Sequence, residues 1–290
     1  MAKEQKLHKQ HKKLSNGITY AVLVLICAVW LLPFFMLIVQ SFRGYEVEYG
    51  GMVNYLFPKT PTLESYKFLF SPECKFGKWY LNTFIIAFFV AIGQTCMVLG
   101  TSYVLSRMRF KGRELLMRFW LVLGMFPGFL TMICLYFILK EMNLTQAGAV
   151  PGLILLGVAS SAMGYYVCKG YFDTLPKALD EAARIDGATR AQIFIQMIIP
   201  MSKPIIIYTM LIAFMAPWCD YVMASYVAFG LDDAYNVAVG LQNWIWTNDY
   251  QGYFTRFCAG GVVVAVPVTI LFMCLQKYYV EGVTGGAVKG

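Results

Sequence analysis

The sequence predicts an all-α integral membrane protein with six transmembrane helices and both termini in the cytoplasm. Three observations predict it. The 290 residues are 59% hydrophobic but only 14% charged, whereas soluble domains carry roughly 25% charged residues. Apolar runs of about 20 residues, enough to span a hydrocarbon core of roughly 30 Å, recur along the chain. Basic residues gather in alternate connecting segments, the asymmetry that orients membrane proteins.

The crossings are expected at 18–41, 79–105, 117–139, 150–167, 204–229 and 258–279. The first is too long for the core of a signal peptide and lacks an obvious cleavage site. The fourth is the least apolar, containing Ser160, Ser161 and several glycines. Its spacings Gly157-xxx-Ser161 and Ser160-xxx-Gly164 bring helices close together. Pro33, Pro127, Pro217 and Pro267 fall inside four different crossings. Each removes a backbone hydrogen bond and is able to kink its helix, as a plain structural bend or as a mark of a wet pathway.

Lys3, Lys6, Lys9, Lys12 and Lys13 lie in the N-terminal tail, 1–17. Arg107, Arg109, Lys111, Arg113 and Arg118 flank the next loop on that side. Lys169, Lys177, Arg184, Arg190 and Lys203 flank the third. With Lys277 and Lys289 they make up most of the 24 basic residues. That side is cytoplasmic by the positive-inside rule. The net charge of +8 therefore follows topology, and no nucleic-acid partner is expected. The long outer loops are 42–78 and 230–256. Within the second, Val237, Leu241, Trp244 and Ile245 recur at helical spacing. That helix would either rest on the membrane surface or pack into an outer vestibule.

Enzyme chemistry finds little support. The only histidines, His8 and His11, are in the N-terminal tail. A zinc site or a membrane-embedded Ser–His pair therefore lacks its imidazole. Paired intramembrane carboxylates are missing too, with Asp220 the one acid deep in a crossing. No phosphate-binding G-x-x-x-x-G-K-[ST] loop occurs. No cofactor is expected, and the eight cysteines show neither a CxxC pair nor a metal-like cluster. Any energy for transport must come from another chain.

The segment LDEAARIDGATRAQIFIQMIIP, 179–200, lies between the fourth and fifth crossings on the cytoplasmic side. Thr174 is placed to cap a helix starting near Leu175. Asp180 and Arg184, four apart, are placed to pair along it. Ala182 and Ala183 flatten one patch, and Gly187 permits a turn that a side chain resists. Thr189 and Gln192 have capping-box spacing, opening a second helix. Ile193, Phe194, Met197 and Ile198 give that helix an apolar stripe, which Pro200 ends. The product is a helix–turn–helix on the inner face. It is either a solvated loop or a helix that docks in another protein's groove.

Glu181, Ala182, Ala183, Gly187 and Pro200 resemble the E-A-A-x-x-x-G-x9-I-x-L-P loop of ABC importer permeases. Met197 and Ile199 replace the usual Ile and Leu with other apolar side chains. TLESYKFLF at 62–70, NTFIIA at 82–87, YVLSRMRFKGREL at 103–115, MFPGFLTMICLYFIL, YNVAVGLQ and the ending EGVTGGAVKG resemble the carbohydrate branch. Within it they look like the shorter six-helix permease of maltose-type transporters. The resemblance implies the type I ABC importer permease architecture in a bacterial cytoplasmic membrane. It implies a domain at 18–280 with a cytoplasmic coupling loop at 171–203. Asp180, Glu181, Ala182, Ala183, Asp186 and Gly187 would belong to the joint with the ATPase. The implied partners are a second related permease, expected to form a heterodimer, an ATPase dimer, an extracytoplasmic sugar-binding protein and an oligosaccharide substrate. A membrane partner or sensor that docks an ATPase without moving solute is the alternative.

Asp220 falls toward the outer half of its crossing, roughly 24 Å along the helix from Pro204. An ionisable residue there faces a cavity or a partner. It would accept sugar hydroxyls or make a structural hydrogen bond. Trp218, Asp220 and Tyr221, with Gln94 in the second crossing, are the candidate pathway residues, and the Trp-x-Asp pattern matches the family. The tail 281–290 is glycine-rich. It is either a frayed end or, by its resemblance to the family's ending, an ATPase contact through Gly285, Gly286 and Lys289.

Overall fold

The computed structural model describes residues 2–44, 57–58, 60–160, 164–246 and 250–284. Apart from one antiparallel bridge between Arg43 and Pro61, the described residues are helical or irregular. Four helices are long and apolar enough to cross a membrane, and two bent pairs would raise the number to six. The chain divides into two compact units, Met1–Ser71 with Trp244–Val263 and Pro72–Asn243 with Val264–Gly290.

In the first unit, α1 (Ala2–Ser41) is one helix of 40 residues, so the basic tail continues into the first crossing without a break. The helix also runs through Pro33. Its apolar residues from Ile18 to Phe35 are exposed, as suits a lipid-facing or partner-facing surface. A short α2 (Glu64–Leu69) follows. The Tyr66 hydroxyl lies 2.7 Å from Ser41 Oγ. Phe68 stacks obliquely on Trp244, and the Arg256 guanidinium sits 3.7 Å from the Phe68 ring centre.

In the second unit α3 (Phe76–Arg107) is the hub. It is followed by α4 (Arg113–Gly124), α5 (Gly128–Glu141), α6 (Ala149–Ala159), α7 (Gly164–Thr174) and α8 (Lys177–Ile185). Next come α9 (Arg190–Gln192), a π-helical stretch Ile193–Ile198, α10 (Ile199–Met201), α11 (Lys203–Cys219) and α12 (Val222–Ala228). Two further helices, α13 (Val237–Trp246) and α14 (Tyr250–Thr284), each run from one unit into the other.

α3 packs against α6, α7 and α11. Glycines permit the α3–α6 approach. A Cβ on Gly93 would lie 2.6 Å from Val158 Cγ2, and one on Gly157 would lie 2.5 Å from Val90 Cγ2. The small residues predicted to admit a close neighbour do so at Gly157, where the neighbour is the second crossing. Ser161 lies outside the described residues. Two apolar cores string along α3, one around Val90, Leu153 and Val227, the other around Val98, Phe172 and Ile205.

Pro127 does mark a bend in the expected third crossing: α4 and α5 meet at 99°, and Pro127 precedes α5. Several other local expectations are corrected. The fifth does not run as one helix over 204–229. α11 stops at Cys219, Asp220 is extended (φ −78°, ψ 95°), and α12 begins at Val222. Thr174 does not cap the next helix. It ends α7, its hydroxyl donating to Tyr171 O at 2.7 Å, and Pro176 stands at the cap of α8. Pro200 lies within α10, and the 83° bend into α11 comes at Ser202. α14 runs through Pro267 and on to Thr284, past the expected start of the tail.

Candidate functional site

The 171–203 segment is built as a helix–turn–helix. α8 ends at Ile185, and Gly187 turns the chain at φ +84°, a left-handed conformation that side chains resist. Thr189 and Gln192 form the full capping box. Thr189 N donates to Gln192 Oε1 at 2.8 Å, and Gln192 N donates to Thr189 Oγ1 at 3.3 Å. Beyond α9 the π-register places Ile193 and Ile198, five apart, on one buried side.

α8 has two unlike faces. Ala183 is buried against the core around Phe172 and Ile198. Glu181, Ala182, Arg184 and Asp186 are exposed, and Ile185 is 86% exposed. Asp180 differs from its neighbours. Its side chain is only 17% exposed, and its Oδ2 lies 3.2 Å from Arg107 Nε at the end of α3. The pair expected along the helix with Arg184 is thus replaced by one across the fold.

At the opposite end of α3, the loop before α13 is fastened down. Trp79 Nε1 donates to Asp232 O at 3.0 Å. Asn82 Nδ2 donates to Asp233 O at 3.0 Å and to Tyr235 O at 2.9 Å. Thr83 Oγ1 accepts from Val237 N at 2.8 Å. Lys75 Nζ approaches Asp232 Oδ2 at 3.1 Å and Asp233 Oδ1 at 3.0 Å, and Lys78 Nζ lies 3.4 Å from Asp233 Oδ2. Hydrogen bonding to Lys75, then Lys78, holds the Asp233 carboxyl below its ordinary range. The same contacts, Asp233 first, lift Lys75. Such exposed pairs contribute little free energy each. The N-terminal part of α13 packs inward through Val237, Val239 and Leu241, all buried. That decides for packing over resting on the membrane surface.

Between these ends lies a cavity of about 480 Å³. Its walls carry Ile86, Val90 and Gln94 from α3, Thr131 and Met132 from α5, and Ser160 after α6. Asp220, Met223 and Asn236 complete the other side. The structure thus brings two of the four predicted pathway residues, Gln94 and Asp220, into one cavity. Trp218 is elsewhere, 6% exposed, edge-on to Tyr80 at 5.1 Å. Tyr221, at the helix break, is 37% exposed and is not in the cavity wall.

Asp220 has a structural bond as well. Its Oδ1 accepts from Met223 N at 3.2 Å, capping α12. Asn236 holds the break open. Its Nδ2 donates to Asp220 O at 2.6 Å and to Pro217 O at 3.3 Å, and its Oδ1 accepts from Val239 N at 2.9 Å. These bonds satisfy carbonyls that the interrupted helix frees. Sequence reasoning passed over Asn236, Asn82 and Thr83. Their signal was polarity inside otherwise apolar phrases, NTFIIA and YNVAVGLQ. Gly285, Gly286 and Lys289 lie outside the described residues.

A family model described as "Binding-protein-dependent transport system inner membrane component" matches residues 96–285. The chain is 36% identical over 238 residues to the galactooligosaccharides transport system permease protein GanQ of Bacillus subtilis, covering 81% of this chain and 83% of that one. It is 33% identical over 279 residues to the maltodextrin transport system permease protein MdxG of the same organism, covering 96% and 98%. Identity to the maltose/maltodextrin transport system permease protein MalG of Escherichia coli K12 is 29% over 289 residues, covering 94% and 95%. The fold is shared, at a TM-score of 0.76 and 24% identity over 91% of this chain and 96% of the other, with a bacterial ABC transporter involved in the import of the acidic polysaccharide alginate.

Proteins of this family work with a partner permease, an ATPase and a substrate-binding protein. The chain is accordingly a multi-pass protein of the cytoplasmic membrane and a transport subunit rather than an enzyme, ATP hydrolysis being the partner's. It belongs to the binding-protein-dependent transport system inner membrane components, the permease subunits of ABC importers.

Proposed function

We propose that this chain forms half of the translocation pathway of an ATP-driven importer of maltodextrin-like oligosaccharides. The relatives named for maltodextrins and galactooligosaccharides support that substrate class. In this reading the domain 18–280 crosses the membrane six times, with the bent pairs α4–α5 and α9–α11 each making one passage. The tails 1–17 and 281–290 are both cytoplasmic. The chain pairs with a second, related permease, and the pair binds an ATPase dimer inside and a sugar-binding protein outside. Gln94 and Asp220 offer hydrogen bonds to sugar hydroxyls in the cavity. Trp218 and Tyr221, which flank Asp220, lie outside that cavity. Gly285, Gly286 and Lys289 touch the ATPase.

One observation carries the coupling role. Glu181, Ala182, Arg184 and Ile185 on α8, and Asp186 just after it, are exposed beside a left-handed turn at Gly187. This surface docks on the ATPase. Gly187→Pro forbids the turn, since proline holds φ near −65°, and Glu181→Lys reverses charge on the docking face. Both variants should lose sugar uptake, with ATPase activity no longer responding to the sugar-loaded binding protein. Normal stimulated uptake in both would remove the assignment.

A further inference from the structure

Three residues on one turn of α3 fasten the coupling segment from behind. Tyr103 OH donates to Arg190 O at 3.2 Å, and its ring centre lies 4.6 Å from that of Phe194. Ser106 Oγ donates to Asp173 Oδ1 at 2.6 Å. Arg107 Nη2 donates to Leu175 O at 3.0 Å, while its Nε pairs with Asp180 Oδ2. Spacings of three and four residues put all three on the same side of the helix. They reach α7, α8 and α9 together.

Among the described residues, the Arg107–Asp180 pair is the contact that joins α3 to the docking helix by charge. The side chains are only 5% and 17% exposed. At 3.2 Å the approach is close, yet it is misaligned for a hydrogen bond, and Nε, Nη1 and Asp180 Oδ1 are left without hydrogen-bond partners. A guanidinium and a carboxylate are able to form two parallel bonds. Unpaired buried donors and acceptors cost free energy. Buried charges at this distance are little screened, so a displacement of α8 against α3 would change the pair's energy more than it would for an exposed pair.

α3 is suited to carry that displacement onward. It runs from Phe76 to Arg107 without a proline. Gln94, in the cavity wall, lies about 20 Å along the axis from Arg107. The far end holds the loop before α13 through Trp79, Asn82 and Thr83.

We propose that Arg107 is a positioning residue for energy coupling: its ion pair with Asp180 transmits movement of the docked helix α8 into α3 and so to the cavity wall. The proposal rests on α8 being the ATPase-docking helix. It gives Asp180 an inward role distinct from that of Glu181.

The test uses the complete complex in proteoliposomes, with maltotriose and its binding protein as stimulus. Asp180→Asn keeps nearly the original shape, and Arg107→Gln removes the charge with a shorter polar side chain that also gives up the bond to Leu175 O. Each should co-purify with the ATPase and keep basal hydrolysis, but lose at least about fivefold of the stimulation, the lower range of allosteric coupling. Arg107→Lys, which retains charge and donors, should recover most of it. The Arg107→Gln/Asp180→Asn double variant should be no worse than either single one, since both remove the same interaction. Undiminished stimulation in Asp180→Asn overturns the proposal. So do losses that add in the double variant, or docking and basal hydrolysis that fall in parallel with stimulation. Glu181→Lys, assayed beside them, separates the two readings. If it alone is uncoupled, the strut falls and the docking surface stands. If it too is normally stimulated, the docking assignment has failed first.

Discussion

Gly240→Ala tests how the α13 end of the second unit is assembled. A Cβ at position 240 would lie 2.0, 2.3 and 2.5 Å from Cε3, Cδ2 and Cζ3 of Trp79. Carbon atoms rest about 3.5–4.0 Å apart, so the indole must retreat by about 1.5 Å. It has little freedom to do so. Trp79 is 5% exposed, and its Nε1 is bonded to Asp232 O at 3.0 Å. Overpacking of this kind costs about 1–3 kcal/mol, and losing the indole bond adds about 1 kcal/mol. The expected total is about 2–4 kcal/mol, which lowers the thermal midpoint of the detergent-purified protein by roughly 5–10 °C. Trp79→Leu removes the obstructing ring at its own cost. The Gly240→Ala/Trp79→Leu double variant should therefore be more stable, by about 2 kcal/mol, than the sum of the two single losses. A midpoint for Gly240→Ala within a degree of the original protein, or strict additivity in the double variant, would refute this packing argument.

Asp220→Cys, in a background lacking the native cysteines, should react with a small membrane-impermeant thiol reagent, and sugar plus binding protein should change the rate. Failure to label in every nucleotide state would leave Asp220 only its capping bond to Met223. The Lys75–Asp232–Asp233 cluster sets a pH window. Asp233 is held below its ordinary 3.8, so its contribution is complete above that value and disappears as pH falls through the depressed one. Lys75 is raised above 10.5, so its contribution is complete below that value and disappears as pH rises through the raised one. The stability difference between the original protein and Asp233→Asn should be flat through neutral pH, shrink in acid and shrink with added salt. A difference unchanged by strong acid would show that the cluster does not titrate as a unit.

Much of this protein is legible locally. Apolar runs and alternating basic segments yield helices of membrane length, because a bilayer imposes that length and internal hydrogen bonding on any spanning segment. The turn at Gly187 and the capping box at Thr189 and Gln192 were readable because they close over three or four residues. Pro127 marked its helix as breakable. Pro33 and Pro267 carry the same signal, yet their helices run on, so proline alone does not locate a break.

What the tertiary structure decided depends on neighbours far along the chain. Asp180 had an available partner four residues away in Arg184, but packing set it beside Arg107, 73 positions earlier. The helix break at Asp220 has no Gly or Pro at the broken position. It persists because Asn236 bonds both Pro217 O and Asp220 O. Gln94 and Asp220 share a cavity only because α3 and the end of α11 face it together, while Trp218, two residues from Asp220, turns toward Tyr80. Periodicity identifies which side of a helix is buried but not what it is buried against. The sequence by itself therefore determined the apolar helical character, the turn at Gly187 with its capping box and the family, while only the folded arrangement set the helix breaks and assigned each polar side chain its partner, because those partners come from other helices.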